Sequence, residues 1–314
     1  MRDALVTVLT GGVGGAKLAL GLYGLMPEGR LSLVVNTGDD FDHLGLRICP
    51  DLDTTLYTLS GLANRELGWG REGETWAFMD ALGKLGGETW FRLGDHDLAL
   101  HVERTRKLAA GHSLSAVTTD FARVLGVHAG LHPMSDDAIA TIVETDEGEI
   151  GFQDYFVRRR CEPKVRALRF RGASKAQLSE GARAALSSPA LKAIFIAPSN
   201  PYLSIDPILA VPELREALGA AKAPVIAVTP ILAGKAVKGP TAKIMAELGL
   251  EPSPVNVARH YEGVIDGFLL DTRDADLKSL FRCPVTVADT LMQSLDDKQR
   301  VGRAVLDFAD LLSR

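Results

Sequence analysis

A glycine-rich stretch near the start of the chain has the composition of a phosphate-binding loop. Gly11, Gly12, Gly14 and Gly15 directly follow the β-favouring run of residues 6–10. Because glycine lacks a Cβ, its backbone can approach a phosphate closely. A helix that begins here would add unpaired N–H groups and the positive end of its dipole. We therefore expect these glycines to bind a phosphorylated ligand; the alternative is a tight strand-to-helix turn that binds nothing.

The glycine stretch matches no standard nucleotide motif. A P-loop requires Gly-Lys followed by Ser or Thr, whereas Ala16 precedes Lys17 and Leu18 follows it. The dinucleotide fingerprint has a third glycine where Lys17 stands. The stretch therefore indicates a phosphorylated ligand without identifying it, and Lys17 could add positive charge there.

A dense group of carboxylates follows the second predicted strand. Asn36 and Thr37 precede five aspartates that lie within fifteen residues, namely Asp39, Asp40, Asp42, Asp51 and Asp53. Carboxylates crowded near a phosphate are usually separated from it by a divalent cation, and Mg²⁺ bridges phosphates with one or two carboxylates. The alternative for Asp51 or Asp53 is that it caps a helix beginning near Thr54. Capping cannot explain all five, so we expect a magnesium site.

Three further groups could contact a ligand. Residues 93–101 contain Asp95, His96, Asp97 and His101, in a spacing that matches no common zinc pattern. Ligand contact and capping of a local turn are both open for this group. Two later loops, each after a buried-type strand, add Ser199 and Asn200 in the first and Gly234, Lys235 and Lys238 in the second.

The order of predicted elements places these groups at one edge of a sheet. A strand, the glycine stretch, a helix and an apolar strand over residues 31–35 make a βαβ unit, which opens a Rossmann-like, doubly wound α/β fold with a mostly parallel sheet. Residues 191–196 and 224–228 predict further buried strands. Loops at the carboxyl ends of such strands border one crevice.

We expect one α/β domain over residues 1–314. Within it, residues 61–132 read as a mainly helical insertion that covers one side of the site, with helices over residues 74–85 and 113–125. Residues 138–144 and 150–157 predict two strands of a β-hairpin.

Composition excludes several classes of protein. The chain has 314 residues, 46% of them hydrophobic, and a net charge of −5. The basic residues are scattered, which argues against a nucleic-acid or membrane surface. No apolar run reaches the roughly 18 residues that span a bilayer, and the N-terminal run reads as a first strand instead of a signal peptide. Three cysteines far apart indicate neither a zinc site nor disulfides, so we expect a reduced, cytoplasmic protein.

Taken together, the loops resemble the CofD family, the 2-phospho-L-lactate transferases of coenzyme F420 biosynthesis. The matching pieces are residues 11–17 (GGVGGAK), 36–40 (NTGDD), 50–57 (PDLDTTLY), 93–95 (LGD), 133–137 (PMSDD), 152–154 (FQD), 197–201 (APSNP) and 289–292 (DTLM). They occur in family order and span almost the whole chain. Residues 68–70 and 74–76, with Trp69 and Trp76, look most like the actinobacterial branch.

The resemblance implies a reaction and its substrates. The family transfers a phospho-acid group, carried on GMP through a diphosphate, to the terminal ribityl hydroxyl of Fo (7,8-didemethyl-8-hydroxy-5-deazariboflavin). GMP leaves, and Mg²⁺ is required. The resemblance also implies a Rossmann-like fold with a helical cover, and a homodimer.

The resemblance assigns roles by motif position. Asp39 and Asp51 are the implied metal ligands, and Asp53 is the candidate to orient or deprotonate the Fo hydroxyl. Ser199 and Asn200 would face the guanosine, and the glycine stretch the diphosphate. One position departs from the family: His96 stands where an arginine is usual. Because the guanidinium fork is lost, a contact with Fo at this position is in doubt.

Other readings of the residues remain open. An NAD-dependent dehydrogenase would use Asp39 or Asp40 to bind ribose, although the glycine fingerprint is incomplete. A nucleotide-sugar-binding regulator of the YvcK type shares the Gly-Gly-x-Gly loop. Within the transferase reading, the donor could carry a lactyl, enolpyruvyl or glyceryl group, and no motif distinguishes these.

Overall fold

The computed structural model describes residues 4–64 and 70–313. The described strands, in chain order, are β1 (Leu5–Thr10), β2 (Leu31–Val35), β3 (Phe41–His43), β4 (Leu46–Ile48), β5 (Gly130–Pro133), β6 (Ala140–Thr145), β7 (Gly148–Gly151), β8 (Val165–Arg171), β9 (Leu191–Ile196), β10 (Val225–Val228), β11 (Ile231–Leu232), β12 (Lys235–Ala236), β13 (Gly267–Asp271) and β14 (Val285–Ala288). Trp69 and Gly68 lie outside the described residues.

The described α-helices are α1 (Gly12–Tyr23), α2 (Pro50–Ser60), α3 (Ala77–Lys84), α4 (Asp95–Ala109), α5 (Leu114–Val124), α6 (Glu180–Ser187), α7 (Asp206–Leu209), α8 (Pro212–Ala220), α9 (Thr241–Glu247), α10 (Pro254–His260) and α11 (Leu295–Leu312). Single π-helical turns cover Asp154–Arg158 and Pro201–Ile205, and 3₁₀ segments cover Ala173–Lys175 and Thr272–Leu280. None of the helices in the described part of the chain combines the length and apolar character that a bilayer crossing requires.

Seven strands form one parallel sheet in the order β14-β13-β10-β9-β1-β2-β5. Strands β2, β10 and β13 are buried along their whole length, as continuous apolar runs in a sheet covered on both faces should be. Two apolar cores, one containing Val8 and Leu33 and the other Leu9 and Val34, include alternate residues of the same strands. The predicted doubly wound α/β fold is confirmed.

The strand order reverses at β1. Strand β2 lies on one side of β1 and β9 on the other, so the chain turns outward in both directions from this point. The loops after β1 and β9 therefore open beside each other at the carboxyl edge of the sheet. Ligands of open α/β sheets bind at this kind of switch point.

The segment between β4 and β5 carries the four helices α2 to α5. The helices predicted over residues 74–85 and 113–125 are confirmed as α3 and α5, each shorter by one to three residues at its ends. Ser113 caps α5 by accepting a hydrogen bond from the Ala116 N–H, which explains its start.

The predicted hairpin is right at its first strand and wrong at its second. Strands β6 and β7 pair as expected, but β7 ends at Gly151 and the chain then enters the π-helical turn Asp154–Arg158. The rings of Phe152 and Phe156 stack with centroids 5.3 Å apart, a contact between residues four apart that a helical turn allows and an extended strand does not. Strand β8 joins β6, so the motif is a three-stranded antiparallel sheet separate from the central one.

Candidate functional site

A cavity of about 710 Å³ opens at the carboxyl edge of the central sheet. Nine of the predicted site residues line it: Gly11, Gly12, Gly14, Lys17, Asp39, Asp51, Asp53, Ser199 and Asn200. They come from the loops after β1, β2 and β9 and from the start of α2. The expectation that these loops share one crevice is therefore met by the fold.

The glycine stretch is the first turn of a helix. Helix α1 begins at Gly12, whose φ is +62°, and Gly11 is its N-cap residue. A Cβ on Gly11 would lie 2.5 Å from Asp51 Oδ2, and one on Gly14 would lie 2.4 Å from the Pro198 carbonyl oxygen. Glycine is required here because the first turn of α2 and the loop after β9 both lie against this turn.

The amide of Asn36 joins two of the predicted carboxylates. Its Nδ2 donates to Asp39 Oδ1 at 2.9 Å and to Asp51 Oδ2 at 3.0 Å. The second oxygen of Asp51 accepts from the Gly12 N–H at 2.7 Å. Two aspartates twelve positions apart in sequence thus meet at the first turn of α1, although Asn36 itself lies behind the cavity surface.

Burial makes this carboxylate pair electrostatically costly. It raises the pKa of Asp39 well above the usual range, and the nearby charges of Asp51 and Asp40 raise it further. Burial also raises the pKa of Asp51 to about 6, against the opposing effect of hydrogen bonds from Asn36 and Gly12. A divalent cation between the two carboxylates would favour their ionised forms, so the donor set fits Mg²⁺.

Asp53 has a different partner. Its carboxylate is buried against the guanidinium of Arg104, which also donates to the Arg47 carbonyl oxygen at 3.2 Å. Burial raises the pKa of Asp53, and the charge of Arg104 opposes the rise. The interpretation of Asp51 or Asp53 as the cap of a helix beginning near Thr54 is wrong, because α2 begins at Pro50 and both aspartates lie in its first turn.

A hydrogen-bonded group extends from Asp53 along α4. Arg104 Nη1 lies 3.3 Å from His101 Nδ1, and His101 Nε2 lies 3.2 Å from Asp97 Oδ2. The Tyr57 hydroxyl donates to Asp97 Oδ1 at 2.5 Å. Burial alone would raise the pKa of Asp97, but His101 and the Tyr57 hydroxyl hold it below its usual value.

Asp53, Asp97 and His101 bring potential metal ligands within 4.8 Å of one another. The fully buried guanidinium of Arg104 already contacts both oxygens of Asp53, so a cation of the chain itself neutralises this trio. A metal ion would have to displace it. The trio therefore suits an internal ion network better than a metal centre.

The loop after β9 holds the start of α1 and presents one free amide. Ser199 Oγ donates to the Gly11 carbonyl oxygen at 2.7 Å. Asn200 Oδ1 accepts from the Tyr202 and Leu203 N–H groups, which fixes the orientation of the side chain. Asn200 Nδ2 is buried in the cavity wall without a partner among the described residues. A buried unpaired donor of this kind is available to a ligand.

Lys17 projects from the second turn of α1. Its Nζ donates to the Met292 carbonyl oxygen at 2.9 Å, and its side chain lines the cavity. Burial lowers the pKa of Lys17, and the charges of Lys238 and Lys298 lower it further. An anion in the cavity would relieve this repulsion.

Comparison with known proteins identifies the family of this chain. Residues 6–302 match the family described as 2-phospho-L-lactate transferase CofD. The chain belongs to the CofD family. It is 40% identical to a phosphoenolpyruvate transferase of Streptomyces griseus subsp. griseus, over 97% of this chain and 98% of that protein. It is 38% identical to a 2-phospho-L-lactate transferase of Methanosarcina mazei, over 95% and 98% of the two chains.

A solved structure of a UPF0052 family protein from Bacillus halodurans superposes with a TM-score of 0.64 and 16% identity, covering 98% of this chain and 99% of that one. At this identity the likeness concerns the fold alone. CofD membership confirms the expected enzyme class, a transferase of coenzyme F420 biosynthesis, over the dehydrogenase and regulator readings.

Seven predicted residues of this CofD-family enzyme do not line the cavity: Gly15, Asn36, Thr37, Asp95, His96, Gly234 and Lys235. The Asp95 carboxylate accepts from the N–H groups of Ala77 and Phe78, so it caps α3. Of the two readings left open for Asp95, capping is the one observed. Gly15 packs against Thr10, and the buried Thr37 hydroxyl has no partner among the described residues.

Neighbours of these residues reach the cavity in their place. Asp97 lines it where Asp95 does not, and Lys238 lines it where Gly234 and the exposed Lys235 do not. Asp97 and Lys238 belong to the same two groups that the sequence predicts, so each group lines the cavity through only some of its members. Which members line the cavity depends on the tertiary packing of α4 and of the β11–β12 hairpin, which sequence spacing alone does not specify.

The cavity of this enzyme also has a wall of aromatic side chains that the sequence analysis did not predict. It is formed by Trp90, Phe91, Phe152 and Phe156. The rings of Trp90 and Phe91 meet edge to face with centroids 5.7 Å apart. Arg158 lies over Trp90 at 4.6 Å from the ring centroid.

Proposed function

We propose that this enzyme transfers a phospho-acid group from a guanosine diphosphate-linked donor to the ribityl hydroxyl of Fo and releases GMP. The observation that carries the proposal is the meeting of Asp39 and Asp51 at the first turn of α1 through one Asn36 amide. Two adjoining carboxylates beside a helix N-terminus suit a cation and a diphosphate.

The reaction forms one bond and breaks one. The Fo hydroxyl oxygen attacks the phosphorus that bears the acid group, and the bond from that phosphorus to the GMP oxygen breaks. The hydroxyl proton leaves to a base, for which Asp53 is the proposed group. Because Arg104 fixes the position of the Asp53 carboxylate, we propose that Asp53 also orients the hydroxyl whose proton it accepts. Such transfers depend on positioning and charge neutralisation more than on covalent help.

We propose Mg²⁺ as the cofactor, held by Asp39 and Asp51. When bound, it would neutralise charge on the diphosphate and on the departing GMP. The chain contributes the positive end of the α1 dipole and the charge of Lys17, since both the first turn of α1 and Lys17 line the cavity. His96 and Asp95 are not proposed as ligand contacts, because neither lines the cavity.

The remaining parts of the substrates fit other walls. The unpaired Asn200 amide suits a guanosine group, and the aromatic wall suits the planar ring of Fo. We propose further that residues 61–132 act as the cover of a single domain, and that the enzyme is a cytoplasmic homodimer. Light scattering of the purified protein should then give twice the chain mass of 33.7 kDa.

The acid group of the donor is to be decided by experiment. Relatives with nearly equal identity, 40% and 38%, are named for phosphoenolpyruvate and for 2-phospho-L-lactate. Purified enzyme would be incubated with Fo, Mg²⁺ and each guanylylated donor, and products identified by mass spectrometry. We expect GMP and a phosphodiester of Fo in equal amounts with at least one donor.

Two variants link turnover to the proposed cation site. Asp39→Asn and Asp51→Asn keep the side-chain shape and remove one charge each, so we expect turnover to be abolished with the fold intact by circular dichroism. Near-normal rates in both variants at saturating Mg²⁺ would remove the metal assignment. Absence of GMP release by the wild-type enzyme with all three donors would refute the function itself.

A further inference from the structure

Three consecutive arginines have different surroundings. Arg158 pairs with Glu88 at 3.0 Å, and Arg159 pairs with Glu147 at 2.7 Å. The Arg160 guanidinium makes no ion pair or hydrogen bond with any residue in the ranges 4–64 and 70–313, and it lines the cavity. Of the three, Arg160 is the one available to a ligand.

The backbone explains why Arg160 differs from its neighbours. Arg160 and Cys161 have φ values of +50° and +59°, in the left-handed region that side chains rarely adopt. The bend is held by hydrogen bonds from the Cys161 N–H to the Tyr155 carbonyl oxygen and from the Glu162 N–H to the Arg159 carbonyl oxygen, both 2.9 Å. Backbone strain of this kind gathers at functional sites.

Among the other cations of the described cavity wall, Lys17 and Arg92 are already engaged, and Lys238 carries an ammonium group that has no planar fork. Lys17 donates to a backbone carbonyl oxygen, and Lys238 lies close enough to lower the pKa of Lys17. The Arg92 guanidinium stacks on the Trp76 ring, 4.0 Å from its centroid. Arg160 therefore offers an unengaged planar fork, the geometry that binds a carboxylate through two parallel hydrogen bonds.

The segment that carries Arg160 is tied to the proposed cation site. Gln153 Nε2 donates to the Asp39 backbone carbonyl oxygen at 3.1 Å, seven residues before Arg160. In the proposed reaction the cation lies at the diphosphate, and the three-carbon acid is attached to the phosphorus being transferred. The carboxylate of that acid would then lie in the cavity that Asp39 and Arg160 both line.

We propose that Arg160 is a substrate-binding residue that binds the carboxylate of the donor's three-carbon acid. The inference rests on the proposed function and goes beyond it, because it names the residue that recognises the acid. It also explains how lactyl, enolpyruvyl and glyceryl donors could share one contact, since each carries a carboxylate.

The test compares Arg160→Gln with the matched variant Arg159→Gln, which loses a neighbouring arginine that does not line the cavity. For Arg160→Gln we expect kcat/KM for the donor to fall about 10- to 100-fold, the range for loss of charge-assisted hydrogen bonds. The KM for Fo and the Kd for GDP should stay within about twofold of wild type. Arg159→Gln should match wild type throughout.

A binding arm does not depend on turnover. Phosphoenolpyruvate would be titrated calorimetrically into wild type and Arg160→Gln, each saturated with GMP. We expect binding to wild type and its loss in the variant. Equal binding of phosphoenolpyruvate to both proteins, or no binding to wild type, overturns the proposal. It is also overturned if Arg160→Gln loses affinity for GDP in parallel, or if kcat/KM for the donor falls in Arg92→Gln alone. Wild type that binds phosphoenolpyruvate but releases no GMP would refute the proposed reaction and leave Arg160 supported.

Discussion

At the scale of single residues, the site depends on buried charges that the chain neutralises unequally. Asp53 has Arg104 within contact, whereas Asp39 and Asp51 share only an uncharged amide. Burial raises the pKa of both unpaired carboxylates. The charge of Asp53 is thus neutralised within the chain, whereas the charges of Asp39 and Asp51 require an external cation.

Mg²⁺ should stabilise the protein more at high pH than at low pH. The pKa of Asp51 is raised from 3.8 to about 6 in the folded state, so the folded state binds more protons between these values. The contribution of Asp51 to the free energy of unfolding therefore falls as pH rises through this window. Mg²⁺ binds the ionised form of Asp51 and should therefore restore the free energy of unfolding that is lost as pH rises.

The measurement is the change in Tm on adding Mg²⁺ at about pH 5, below the raised pKa of Asp51, and at about pH 8, above it. A clearly larger increase is expected at the higher pH, and Asp51→Asn should abolish it. An equal increase at both pH values, or one that survives in the variant, would contradict the assignment.

Removing the partner of Asp53 should cost far more than removing a surface arginine. Arg104→Met leaves the Asp53 carboxylate buried without its cation, for which we expect a loss of about 3–5 kcal/mol in the free energy of unfolding. Arg106→Met, on the same helix, removes an exposed pair with Glu103 and should change it by less than about 1 kcal/mol. Urea unfolding measures both, and equal losses would refute the special role of Arg104.

At the scale of elements, the site is where the first turns of two helices meet the loop after β9. Helix α1 starts against Pro198 and Asp51, and α2 brings Asp51 and Asp53 in its own first turn. The glycines of α1 allow this approach. The glycines are therefore needed for the packing of α1 against α2 and the loop after β9, as well as for the expected contact with phosphate.

Gly14→Ala should disturb this meeting point. The new Cβ would lie 2.4 Å from the Pro198 carbonyl oxygen, a backbone atom that cannot move without its loop. We expect a lower Tm and at least about tenfold weaker GDP binding, since the loop also carries Asn200. The control is Gly219→Ala in α8, where a Cβ meets no atom within 4 Å, so Tm should stay or rise slightly. Unchanged GDP binding in Gly14→Ala would contradict the argument.

Sequence reasoning succeeded where local pattern and strand order determine the outcome. The apolar run before Gly11 and the one ending at Val35 specified neighbouring parallel strands, so the loops that follow them had to meet. It failed where the outcome depends on a residue that is far away in the sequence. The Asp53–Arg104 pair spans fifty-one positions, and the π-helical turn that directs Arg160 interrupts a run that alternates like a strand.

At the scale of the whole molecule, the strand order explains why one cavity receives so many loops. The sheet turns outward in both directions from β1, so the loops after β1, β2 and β9 open side by side. The connection between β7 and β8 and the region of the β11–β12 hairpin complete the wall from two other parts of the chain. One body thus presents acidic, glycine-rich, aromatic and basic surfaces to the same space.

The most direct test of the proposed cation site is the position of a bound metal. Crystals grown with GDP and Mn²⁺, which replaces Mg²⁺ and scatters anomalously, would show where the cation lies. We predict an anomalous peak within bonding distance of the Asp39 and Asp51 carboxylates and of the diphosphate. A peak at Asp53, Asp97 and His101, with none at Asp39 and Asp51, would contradict the account.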